Sequence, residues 1–271
     1  MSAMRRSLLA ALLVASPAFA AEPDFARTFA GRDGCFEVYD LKTNTLVVRS
    51  DAGRCALRTS PCSTFKVPLA LMAFDAGILK DENSSMKWDG TKSSRDAWNH
   101  DQTAATWMRD SVVWFSQRLT PLLGMDKVKA YLAGFAFGNQ DMSGGLTKAW
   151  LESSLLVSPD EELNFWERFW REELPVSKHA FAMTKTITLV DTSARGWTLH
   201  GKTGSGAVIS DGPKQKSNLW LGWFVGHVSR GDREYVFALS YTDRVVSNDH
   251  RPPGWIARDM AKRILEQMAL Y

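Results

Sequence analysis

Apolar residues recur at helical spacing through the middle of this chain and at every second position from Trp197 onward. The later part reads as three antiparallel strands, 197–202, 219–228 and 235–241, the last two joined by Ser229-Arg230-Gly231-Asp232. An earlier hairpin is predicted over 35–41 and 45–49, rich in Val, Phe, Tyr and Thr and divided by Lys42-Thr43-Asn44. Helices are predicted at 63–76, ended by Gly77, and over 103–135 as two helices parted near Gly124. Two more run from Ser158-Pro159-Asp160-Glu161 to about 173 and over 177–189. The stretch 80–102 is polar and reads as a surface excursion, 137–156 as irregular, and a last amphipathic helix follows Pro253. Strands at both ends imply an α+β fold: an antiparallel sheet from both chain ends (about 21–62 and 178–271) flanked by helices, with a mainly helical inserted subdomain (about 63–177). A cleft is expected where the two parts meet.

The 271 residues are 45% hydrophobic and 23% charged, enough for a sizeable core. A net charge of +3, with no basic run interleaved with aromatics, argues against a nucleic-acid partner. The eleven Trp lie mostly in apolar segments and read as core. Arg5 and Arg6, an apolar run over 8–15 and Ala18-Phe19-Ala20 have the layout of a secretory signal peptide over 1–20. The mature chain is then expected to start near Ala21, as one domain, secreted and without a membrane anchor. Of Cys35, Cys55 and Cys62, an odd count leaves at least one thiol unpaired in a monomer, and Cys35 can reach Cys55 across the hairpin. The five His are scattered with no metal-ligand spacing, so no metal is expected.

Ser63-Thr64-Phe65-Lys66 reads S-x-x-K at the mouth of an apolar helix, where residues three apart share a face. A serine hydroxyl attacks only when a base takes its proton, and a lysine is such a base only when buried and uncharged. Ser84-Ser85-Met86-Lys87 fits the same pattern, but its polar setting would leave Lys87 solvated and charged. Lys202-Thr203-Gly204-Ser205-Gly206, at the end of a predicted strand, offers a positive charge, backbone donors for an oxyanion and glycines that permit close approach. Alone it is a common strand-end turn.

S-x-x-K followed by K-T-G resembles the serine β-lactamases and penicillin-binding proteins. Ser111-Val112-Val113 looks like the S-x-V element, Phe137-Gly138-Asn139 stands where Y-G-N is usual, and Trp150-Leu151-Glu152 looks like W-x-E. In order and spacing the chain resembles the class D, oxacillinase-type β-lactamases over essentially its whole mature length. S-D-N, expected in class A, is absent.

The resemblance implies hydrolysis of the β-lactam amide of penicillins through a Ser63 acyl-enzyme, and so β-lactam resistance. It implies that Lys66 reacts with CO₂ to become N-carboxylated and acts as general base, held by the Trp150 N–H, with no cofactor beyond CO₂ or bicarbonate. Ser111 would relay a proton to the leaving nitrogen, assisted by Lys202. The N–H groups of Ser63 and Ser205 would form the oxyanion hole. Val113, Thr203, Gly204, Ser205 and Arg258 would meet the substrate, with Arg244 and Arg251 as rivals for its carboxylate, and Val113 and Leu155 would govern water access. Phe137 departs from the pattern, because it brings no hydroxyl. Other readings are a sensor or transpeptidase-like domain that acylates without turnover, and a binding module with idle motifs. The periplasm is the expected location, as a monomer or homodimer.

Overall fold

The computed structural model describes residues 23–209 and 216–271. The expected signal segment at 1–20 lies outside the described residues. Six strands form one antiparallel sheet: β1 (Arg32–Asp40), β2 (Thr45–Arg49), β5 (Leu189–Thr192), β6 (Thr198–Ile209), β7 (Lys216–Arg230) and β8 (Arg233–Asp243), in the order β2-β1-β8-β7-β6-β5. Two-residue strands β3 (Ser85–Met86) and β4 (Gln102–Thr103) pair outside it. The two chain ends meet where β1 pairs with β8, and Arg32 Nε donates to Asp243 Oδ1 at 3.0 Å across that seam.

Period-two alternation gives the sheet two apolar faces. Phe36, Val38, Phe224, Tyr235, Phe237 and Leu239 point to one side, where α9 (Pro253–Gln267) packs with Ile256, Met260 and Ile264. The short α1 (Phe25–Thr28) joins this layer through Phe25. Leu221, Trp223, Val225, Val236 and Ala238 point to the other, into a larger core built with helices. That layer comprises α3 (Lys66–Asp75), α4 (Ala104–Asp110), α5 (Val113–Leu123), α6 (Met125–Phe135), α7 (Pro159–Trp170) and α8 (Lys178–Ile187). α7 starts at a capping box: the Ser158 hydroxyl accepts from Glu161 N while the Glu161 carboxylate accepts from Ser158 N. Cys35 and Cys55, the latter closing α2 (Ala52–Cys55), form a disulfide, and Cys62 is a buried free thiol. Trp107, Trp150, Trp166, Trp197 and Trp223 are fully buried, whereas Trp220 and Trp255 are exposed.

The fold class is the α+β arrangement read from the sequence, with a sixth strand, β5, and the short helices α1 and α2 that it did not foresee, and three differences near the site. The region 103–135 holds three helices rather than two. The unforeseen break follows Asp110, where Ser111 takes a left-handed backbone (φ 58°) and caps α4. Such a turn at a serine is held by its surroundings and leaves no mark in the apolar period. K-T-G does not end a strand, because β6 continues through it to Ile209. Glycines weaken a strand pattern, but here Gly204 and Gly206 are the residues that let β6 pass close to its neighbours, as described below. The polar excursion at 80–102 is not merely surface, since 93–98 forms one wall of the cleft.

Candidate active site

Residues 62–65 form a single 3-10 turn that runs directly into α3. Ser63 sits on the turn and Lys66 is the first residue of the helix, so the spacing of three brings Lys66 Nζ to 3.2 Å from Ser63 Oγ. Lys66 is fully buried, and burial, followed by the nearby charges of Lys202 and Arg95, holds its amine well below the ordinary lysine range. An amine pushed toward its neutral form beside a half-buried hydroxyl is the arrangement an activated serine needs. At the rival S-x-x-K match, Lys87 is 90% exposed and pairs with Asp101 at 2.7 Å, which keeps it a cation.

The turn is braced from three sides. The Thr64 hydroxyl donates to Pro61 O at 2.9 Å and meets Glu162 Oε1 of α7 at 2.5 Å. Glu162 is buried, and burial raises its carboxyl to about 7. The Trp223 indole N–H, from β7, donates to Ser60 O at 3.0 Å. β6 lies alongside: a Cβ on Gly204 would stand 3.0 Å from Pro61 O, and one on Gly206 would stand 2.5 Å from Cys62 Sγ. The glycines of the K-T-G-S-G run therefore set how near the strand comes to the turn that carries Ser63. Glu152, of the W-x-E element, fastens the same strand by accepting from Ala207 N at 2.6 Å.

The left-handed Ser111 turns its hydroxyl toward Lys202, whose Nζ donates to Ser111 Oγ at 3.1 Å, Thr203 O at 2.9 Å and Thr203 Oγ1 at 3.2 Å. No carboxylate is among these acceptors, and burial, with Arg95 second, lowers Lys202 to about 7. Two Ser–Lys pairs thus face one cleft of about 550 Å³, lined by Ser63, Ser111, Val113, Leu151, Thr203 and Ser205 among others. The Ser205 hydroxyl accepts from Gly254 N at 2.8 Å, which ties this part of β6 to the start of α9.

Residues 34–266 match the family described as penicillin binding protein transpeptidase domain. Beta-lactamase OXA-1 of Escherichia coli is 40% identical over 227 residues, 81% of this chain and 80% of that one. Beta-lactamase OXA-9 of Klebsiella pneumoniae is 43% identical over 214 residues, 75% and 77% of the two chains. Among solved structures, the class D beta-lactamase BAT-2 superposes with a TM-score of 0.80 at 31% identity, over 93% of this chain and 98% of that one. This chain belongs to the class D β-lactamases. It is a serine hydrolase by family. Regulatory protein BlaR1 of Bacillus licheniformis is also similar, 32% identical over 214 residues, which are 79% of this chain but 33% of that protein.

In this class D β-lactamase, Trp150 is fully buried, stacked on Phe65 with ring centroids 5.8 Å apart. Its ring centroid is 5.3 Å from Lys66 Nζ, while its N–H donates to Leu146 O at 3.2 Å. Phe137 is fully buried between Phe65 and Phe165, so the position that departs from Y-G-N is packed entirely among aromatic rings. Val113 lines the cleft and packs on the larger core, and Leu155 is buried in that core. Arg258 is not among the cleft-lining residues: its guanidinium lies 6.0 Å from the ring of Trp255, which does line the cleft, and 3.7 Å from Asp259. Of its rivals, Arg244 pairs with Asp33 and Arg251 with Asp249 and Asp259. The arginines that do line the cleft are Arg95 and Arg109. Sequence reasoning passed over both, and over Glu162, because none belongs to a motif and each is reached only through the fold. Among the described residues, the one cluster of metal-ligand type is Cys35, Glu37 and Cys55, and its two sulfurs are joined to each other.

Proposed function

We propose that this enzyme hydrolyses the β-lactam amide of penicillins through an acyl-enzyme on Ser63. The observation that carries the reading is the buried Lys66 amine 3.2 Å from Ser63 Oγ, facing the same cleft as the Lys202–Ser111 pair. Ser63 Oγ attacks the lactam carbonyl as its proton passes to the Lys66 side. The backbone N–H groups of Ser63 and Ser205 receive the developing oxyanion. Ser111, polarised by Lys202, gives a proton to the lactam nitrogen as the C–N bond breaks and takes in its place the proton that Ser63 passed to Lys66. Water then cleaves the ester and Ser63 recovers its proton.

Burial favours the neutral form of Lys66, the form that attacks CO₂, and the Trp150 indole lies beside it. Carboxylation of Lys66 would supply an anionic base at this position, held by the Trp150 N–H once it exchanges its present acceptor. Val113 and the aromatic packing around Lys66 exclude bulk water from the amine. The signal-like layout of 1–20 supports a location outside the cytoplasm, in the periplasm, where hydrolysis would confer resistance. No helix among the described residues is long and apolar enough to cross a membrane.

A second reading is favoured by one neighbour. The C-terminal domain of the Bacillus licheniformis BlaR penicillin-receptor superposes with a TM-score of 0.82 at 29% identity, so the same scaffold serves a receptor. Purified protein mixed with a chromogenic cephalosporin, with and without bicarbonate, separates the two. Steady turnover that bicarbonate raises is expected. A single stoichiometric burst with a stable Ser63 adduct would replace hydrolysis by reception. Lys66→Ala should leave any adduct trapped, and wild-type turnover in that variant would sink the role given to Lys66.

A further inference from the structure

We propose that Arg95, presented on the ring of Trp98, is the cation that receives the carboxylate of the substrate. The inference rests on the β-lactam reading above. In a penicillin or cephalosporin the carboxylate is borne by the carbon bonded to the lactam nitrogen, two bonds from the carbonyl carbon. Its counter-charge must therefore stand over the cleft, close to Ser63. Arg258 and Arg244 line neither that cleft nor the pocket adjoining it, Arg251 lines the adjoining pocket but is paired with Asp249 and Asp259, and Lys202 is engaged with Ser111 and Thr203. Arg109 lines it but pairs with Asp110 at 2.7 Å.

Arg95 is placed differently. It lines the main cleft with Thr203 and Ser205, and also an adjoining pocket of about 420 Å³ with Ser205 and Gly206, so it stands at the junction over the β6 wall. Its charge is felt by both Lys66 and Lys202, which places it near the reacting centre. The guanidinium carbon lies 5.0 Å from the Trp98 ring centroid, and the Trp98 N–H is fixed to Asp110 O at 2.9 Å, one residue before Ser111. Stacking occupies the face of a guanidinium and leaves its in-plane donors free, and those donors match a carboxylate as a fork. Among the described residues Arg95 makes no salt bridge, although Asp96 and Asp110 share the cleft wall. Because the arginine comes from the excursion at 93–98 rather than from α9, this enzyme would grip the substrate from a different element than the expected one.

The test is steady-state hydrolysis of benzylpenicillin and of its methyl ester by wild type, Arg95→Ala and Arg95→Lys. A charge-assisted hydrogen bond contributes about 1.5–3 kcal/mol, so Arg95→Ala should raise KM for the acid by about 10- to 100-fold. The ester should change little, and Arg95→Lys should recover part of the loss. A structural role would lower both substrates alike, so the acid-to-ester ratio is the discriminating readout. Equal loss of acid and ester, an unchanged KM for the acid, or the acid-specific loss appearing in Arg258→Ala instead would each overturn the proposal. If wild type reacts with neither compound, the β-lactam reading fails and this inference fails with it.

Discussion

Replacing Gly206 by alanine tests whether the spacing between β6 and the nucleophile turn is set by that glycine. The added Cβ would lie 2.5 Å from Cys62 Sγ and 3.1 Å from Glu152 Oε1. Non-bonded heavy atoms attract best at about 3.5–4.0 Å, so strand and turn must part by about 1 Å. Overpacking of this kind costs about 1–3 kcal/mol. For a chain of this length each kcal/mol moves the melting temperature by about 2–4 °C, so a drop near 4–8 °C is expected for the middle of that range. The strand that moves carries the Ser205 N–H, and Cys62 precedes Ser63, so the two proposed oxyanion donors separate. A misplacement of about 1 Å can cost about a hundredfold in rate. Cys62→Ala removes the Sγ that the new methyl strikes. It should cost about 1 kcal/mol alone, and the double variant should be more stable and more active than the sum of the singles predicts, with a coupling of about 1–2 kcal/mol. Thermal unfolding followed by circular dichroism, together with turnover of a chromogenic cephalosporin, measures both terms. Wild-type behaviour of Gly206→Ala, or simple additivity in the double variant, would refute the reasoning.

Three further outcomes are expected. With burial holding Lys202 near 7, kcat/KM should fall as pH rises through about 7 and Lys202 loses its charge, and Lys202→Arg should abolish that alkaline limb while lowering the plateau; a limb unchanged in Lys202→Arg would assign it elsewhere. Burial, followed by the neighbouring Asp160, keeps Glu37 protonated up to about 9, whereas an unfolded glutamate ionises near 4.5. Folding then takes up a proton between those values, so stability falls as pH rises across the window. Glu37→Gln should match wild type in calorimetry near pH 4.5 and melt higher near pH 9, and a difference independent of pH would contradict the assignment. Trp150→Phe keeps the stack on Phe65 but removes the N–H, so its turnover should depend on added bicarbonate more steeply than that of wild type. An identical bicarbonate response would reduce Trp150 to packing.

What could be read from the chain was whatever depends on near neighbours. Ser63 and Lys66 are three residues apart, and helical geometry brings them together in any fold that keeps the turn. The Ser158 cap and the alternation of β7 and β8 are equally local. The break at Ser111 was hidden because a left-handed serine is stabilised by its tertiary setting. The length of β6 was hidden because its glycines, needed against Pro61 and Cys62, lower strand propensity in the very place where the strand matters. Arg258 is a different case. Its place was inferred from resemblance, and no physical contact in the sequence obliged α9 to turn that side chain toward the cleft. Arg95 had no motif to announce it, only a polar loop whose path the fold decides.

The pairing of β1 with β8 has a bearing on how this enzyme comes into being. The two residues of the Arg32–Asp243 contact are 211 positions apart, so the sheet closes only after nearly the whole chain is available. Contacts of such separation slow folding, since long loops must be ordered before any ladder bond rewards them. The nucleophile turn and its lysine belong to an early segment, but the strand that lies against them and the two that complete the sheet come late. A nascent chain thus carries Ser63 and Lys66 long before the burial that makes the lysine neutral. Reactivity at the serine would then depend on sheet closure, and a chain crossing a membrane unfolded would carry an inert serine until it folded.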